Sequence, residues 1–62
     1  MTVTFKNGDK ITASKGVLNE LSIMFFEASE NYEKNGYAGL SADANEKSHI
    51  IYKELKKVGY YN

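Results

Sequence analysis

Apolar and polar positions alternate at the start of the chain, in MTVTF and again in KITA, on either side of KNGD. Alternation with a period of two marks half-buried strands, and Asn-Gly between them marks a hairpin turn. Parity decides which turn. A two-residue turn at Asn7-Gly8 pairs Phe5 with Lys10 and leaves Ile11 on the opposite face from Val3 and Phe5. A three-residue loop, Lys6-Asn7-Gly8 with Gly8 left-handed in a bulge, pairs Val3 with Ile11 and Phe5 with Asp9. Met1, Val3, Phe5, Ile11 and Ala13 then share one face, and Thr2, Thr4, Lys10 and Thr12 share the other. A one-residue slip splits the apolar set, so the bulged loop is expected, in a hairpin over residues 2–13.

From residue 14 the period lengthens. Val17, Leu18, Leu21, Met24, Phe25, Ala28 and Tyr32 recur at helical spacing and predict a helix over about 15–35, buried along that stripe. Ser14 suits the N-cap, and Gly36 after Asn35 suits a left-handed stop. Ile23 and Phe26 fall outside the stripe. With Asn19 and Glu30 they form a second line at helical spacing. A helix apolar on two sides is either sandwiched between two elements or presents a contact patch.

NGYAGL, residues 35–40, is a short connection that predicts an αα-hairpin, with Tyr37 and Leu40 folded back over the helix ends. The second helix is expected over about 42–58. Ser41 serves as its N-cap, Asp43 sits at the positive dipole end, and Lys53, Lys56 and Lys57 lie toward the negative end. Ala44, Ser48, Ile51, Leu55 and Val58 make its buried stripe, with Tyr52 at the flank. Gly59 ends it before the tail Tyr60-Tyr61-Asn62. The expected fold is α+β of order ββαα: an N-terminal antiparallel β-hairpin packed on an antiparallel two-helix hairpin, the first helix central.

At 62 residues this is a single small domain with little stability to spare. Folding buries about 6,000 Å² by size scaling. With about 60% of that apolar, burial contributes roughly 90 kcal/mol, and ordering the chain costs about the same. Small domains near this balance lean on disulfides, a metal or association. The chain has no Cys and one His, which leaves association. Pairing of hairpin edges into a four-stranded intermolecular sheet is one route to a homodimer.

Charge adds an exclusion. Eight Lys balance eight Asp and Glu, so no net field steers the chain to nucleic acid or membrane. There is no Arg, the usual bidentate reader of guanine and phosphate. The absence of Cys, of a long apolar run and of a signal-peptide pattern at MTVTFKNGDK makes a cytoplasmic protein the expectation.

Candidate chemistry is sparse. Histidine ordinarily titrates near neutrality, but His49 stands alone, with Glu46 and Lys53 one turn away and no nucleophile in reach of helical spacing. One His and no Cys exclude the usual zinc patterns, and Glu20, Glu27 and Glu30 read as a solubilising side of the first helix. No phosphate loop or EF-hand pattern occurs. The expectation is a non-enzymatic chain with no metal and no cofactor. His49, Lys53, Lys56 and Lys57, followed by Tyr60 and Tyr61, could serve a nucleic-acid backbone with base stacking. Yet residues 46–62 hold four Lys against two Glu, a net of only +2. The favoured reading is a protein-interaction module, a regulator or inhibitor of a larger intracellular protein, as a monomer or a homodimer. Its size is that of short accessory proteins of phages and mobile elements. Ile23, Phe26, Glu30, Tyr60 and Tyr61 are the expected partner-binding residues, since Phe and Tyr are favoured interface anchors.

Overall fold

A computed structural model describes residues 1–62. Its elements are β1 (Thr2–Thr4), β2 (Lys10–Thr12), α1 (Lys15–Lys34) and α2 (Ala38–Lys57). The order is the expected ββαα, a two-stranded antiparallel hairpin followed by two packed helices.

The hairpin takes the bulged register. Val3 pairs with Ile11 and Thr4 with Lys10. Gly8 N–H donates to the Phe5 carbonyl, Phe5 N–H donates to that of Asp9, and Gly8 has φ +93°. The Asn7 side chain ties the loop down, accepting from Asp9 N–H and donating to the Asp9 carboxylate. On the outer face the Thr2 and Thr12 hydroxyls meet at 2.8 Å.

α1 begins at Ser14, whose hydroxyl accepts from Val17 N–H. It ends in a Schellman motif. Gly36, at φ +81°, donates to Glu33, and Tyr37 N–H donates to the Tyr32 carbonyl. The Tyr37 ring stands edge-on to Tyr32 at 6.4 Å, the apolar contact that accompanies such a cap. α2 ends in the same way, with Gly59 N–H donating to Lys56 and Tyr60 N–H to Leu55.

Three expectations are corrected. α2 starts at Ala38, not near 42, because Ser41 is not its cap: the Ser41 hydroxyl donates across to the Ser29 carbonyl in α1. Tyr37 occupies the N-cap without a side-chain hydrogen bond, and its carbonyl accepts from Ser41 N–H. Second, the buried line of α1 is displaced. Leu18, Ser22 and Ser29 are buried, whereas Val17 and Met24 are 51% and 61% exposed; Leu40 and Val58 also remain in solvent. Third, α1 is not central. The hairpin's backbone approaches α2 through β1, while its apolar side chains cover one flank of the helix pair.

The core is small. Val3, Phe5, Leu18, Ile51 and Leu55 form it, with Met1, Ile11, Ala13, Leu21, Phe25 and Ile50 packed around them. Phe5 meets Phe25 edge-on at 6.4 Å, and the Lys47 ammonium lies about 6 Å above both rings. Only 8 of 62 residues are buried, so much of the apolar inventory is left at the surface.

Candidate functional site

Away from the Leu18–Leu55 core, the helices meet through small residues. Ser22 and Ser29 of α1 face Ser41, Ala44 and Ser48 of α2. The Ser48 hydroxyl donates to the Ser22 carbonyl at 2.7 Å, and the Ser41 hydroxyl donates to that of Ser29 at 2.9 Å. Serine and alanine at a helix crossing allow the short end of the roughly 8–10 Å range of interaxial distances. Every buried hydroxyl in this seam finds a partner, so it carries no desolvation penalty.

The seam sets the registry of the residues beside it. Next to Ser22 come Ile23 and Phe26; next to Ser48 come His49 and Tyr52. Together these six side chains line a shallow, mainly apolar groove on the flank of the helix pair away from Phe5 and Phe25. Ile23 and Phe26 stay 45% and 51% exposed. The alternative in which the hairpin and α2 sandwich α1 and hide both its apolar sides is therefore not adopted. The hairpin sits on the other flank.

The C-terminal tail extends the groove. Tyr61 donates its hydroxyl to the Asn19 side-chain oxygen at 2.7 Å and packs its ring against Tyr52 with 5.2 Å between centroids. Tyr60 stands edge-on to Tyr61 at 5.1 Å. At the opposite end the groove passes Phe26 into a hollow lined by Glu30 and Glu33 with Ala38, Ala42 and Asn45. Four of the expected residues, Ile23, Phe26, Glu30 and Tyr61, are thus brought to one face, with Tyr60 packed behind Tyr61. Tyr52 and His49 complete it. By periodicity alone Tyr52 falls at the flank of α2's buried stripe and His49 falls among the lysines of its outer face. The signal that finds them is the small-residue spacing Ser22/Ser29 against Ser41/Ala44/Ser48, which fixes how the helices face each other.

The basic set is dispersed. Lys53 shares a hollow with His49, Asn45, Glu46 and Lys6, and Lys6 itself lies 3.7 Å from Glu46. The Lys57 ammonium lies 3.4 Å from the Glu54 carboxylate. Lys56 is exposed one turn beyond Tyr52. No group of three or more His, Cys, Asp or Glu side chains is placed to hold a metal ion. Neither helix is long and apolar enough to cross a membrane.

Compared with protein-family models, with characterised proteins and with solved structures, the chain matches none.

Proposed function

We propose that this chain is a non-enzymatic protein-interaction module, a regulator or inhibitor of a larger intracellular protein, that binds through the groove of Ile23, Phe26, Tyr52 and Tyr61. The observation that carries the reading is the half-exposure of Ile23 and Phe26 over a seam of satisfied serines. Exposed aromatic side chains on a firm, polar-satisfied floor are what interface anchors require, since little order has to be gained on binding. Two of the aromatic residues are already held: Tyr61 by Asn19, and Tyr61 and Tyr52 by each other's rings.

The balanced charge supports the same reading, because recognition that depends on apolar fit needs no net field. Nucleic-acid binding through His49, Lys53, Lys56 and Lys57 is less favoured. Two members of that set sit in apolar or acid-flanked surroundings, His49 in the groove wall and Lys57 beside Glu54.

The test is a photo-crosslinking phenylalanine analogue placed at position 26, in the full chain in its native cell. The reading expects a discrete protein adduct that disappears when Ile23 and Tyr52 are both changed to Asp. An analogue at position 10, on the polar strand face, should give none. Equal adducts from both positions, or none from position 26, contradict it.

A further inference from the structure

We propose that, when no larger partner is bound, the groove is closed by a second copy of the same chain, turned about a two-fold axis that crosses the groove at the level of Ser22 and Ser48. The inference rests on the reading of this face as a protein-binding surface and names its resting occupant.

What selects a second copy is the distribution of charge along the groove. The contacts Ser29–Ser41 and Ser22–Ser48 fix the antiparallel register of the helices. In that register Glu30 and Glu33, beside Phe26, lie at one end. Lys56, one turn past Tyr52, lies at the other, level with the start of α1. The two ends are separated by roughly eight α1 residues on each side of a midpoint near Ser22, or about 24 Å in all at 1.5 Å per residue. The face therefore carries Glu30 and Glu33 at one end, an apolar middle, and Lys56 at the other. A two-fold axis perpendicular to that polarity sets Glu30 of each copy against Lys56 of its partner, twice, and lays apolar middle on apolar middle.

Size and charge permit it. A standard interface takes about 800 Å² from each partner, a little under a fifth of the 4368 Å² that the chain exposes. The formal net charge is zero, so two copies do not repel as wholes. Exposed Lys–Glu pairs add little affinity, so the rim charges fix orientation while Ile23, Phe26 and Tyr52 supply the attraction. Dimerisation on this face then competes with the larger partner, and the free chain is held in reserve.

Sedimentation equilibrium of the full chain tests this. The wild type is expected to dimerise, and Phe26→Gln to be monomeric while keeping its helical circular dichroism. Glu30→Lys alone and Lys56→Glu alone each create two like-charge pairs and are expected to weaken the dimer roughly tenfold. An equimolar mixture of the two variants restores both opposite pairs and should recover wild-type affinity, as should the double variant in a single chain. A wild type that stays monomeric into the millimolar range overturns the proposal. So does a dimer indifferent to Phe26→Gln, or a mixture that fails to recover. A monomer that still crosslinks through position 26 to another protein removes this inference alone; a monomer with no such crosslink removes the binding reading as well.

Discussion

The Ser48 hydroxyl donates to the Ser22 carbonyl oxygen over 2.7 Å, across the seam where α1 meets α2. It fills the contact with a small side chain, lets the helices close, and places Ile23 on one lip of the groove and Tyr52 on the other.

Removing that hydroxyl with Ser48→Ala should destabilise the fold by about 1 kcal/mol, the usual net worth of an intramolecular hydrogen bond. For a domain of this size that lowers Tm by about 4–8 °C. Ser48→Leu should do more harm, about 1–3 kcal/mol, because a larger side chain at the helix crossing pushes α1 and α2 apart and removes the bond to Ser22. Thermal denaturation followed by circular dichroism gives both values. A leucine variant as stable as the wild type would show that the helices are not held close here.

Leu18 and Phe26 test which side of α1 holds the fold. Leu18 is fully buried, whereas Phe26 is about half exposed. Leu18→Ala should cost about 2–5 kcal/mol, comparable with the whole stability of about 3–5 kcal/mol that such a small core supplies. That variant should be largely unfolded at room temperature. Phe26→Gln should lose about 1 kcal/mol or less and remain cooperative in urea. Equal losses at the two positions would mean that Phe26 belongs to the core.

Lys47 spans the hairpin and α1 through its ammonium, 6.0 Å from the Phe5 ring and 5.8 Å from that of Phe25. A cation over two aromatic faces at a partly exposed site contributes about 0.5–1 kcal/mol. Lys47→Gln should lose that amount and Lys47→Arg should keep most of it. In a double-mutant cycle with Phe25→Leu the two effects should be coupled. Strict additivity would mean that the ammonium is not attracted to the ring.

The hairpin loop turns on one residue. Gly8 has φ +93° and open space where a Cβ would stand, so substitution there is opposed by backbone conformation alone. Gly8→Ala should cost about 1–2 kcal/mol. Gly8→Asn should cost less, since asparagine visits the left-handed region more readily. Chemical denaturation of the two variants measures the difference.

The hairpin was legible in the sequence because two-residue periodicity and Asn-Gly together leave one register that keeps Val3, Phe5 and Ile11 on a common face. Both helix ends were legible too, at Gly36 and Gly59, since few other residues accept the left-handed conformation of a Schellman cap. The start of α2 was obscured by Ser41, which has the chemistry of an N-cap but spends its hydroxyl on Ser29. The packing face of α1 was obscured for a related reason. Hydrophobic periodicity gives weight to Val17 and Met24 and none to Ser22 and Ser29, yet the serines are buried and the larger residues are wet. A seam of small polar residues is invisible to a pattern built on apolar ones. The second apolar line at Ile23 and Phe26 was legible from its helical spacing, but its exposure was not, because a sandwich between the hairpin and α2 would have hidden it. Its continuation through Tyr52 and Tyr61 depends on the tertiary register set by the serine seam, which apolar periodicity does not reveal.

Hydroxyl-radical footprinting, applied to the dilute purified chain and to the chain in its native cell, tests the central claim most directly. The account predicts that Phe26 and Tyr52 are oxidised in the dilute chain and protected in the cell, while exposed Met24, on a different face of α1, reacts alike in both. Equal oxidation of Phe26 and Tyr52 in the two settings would contradict it, because a face that is never covered binds nothing.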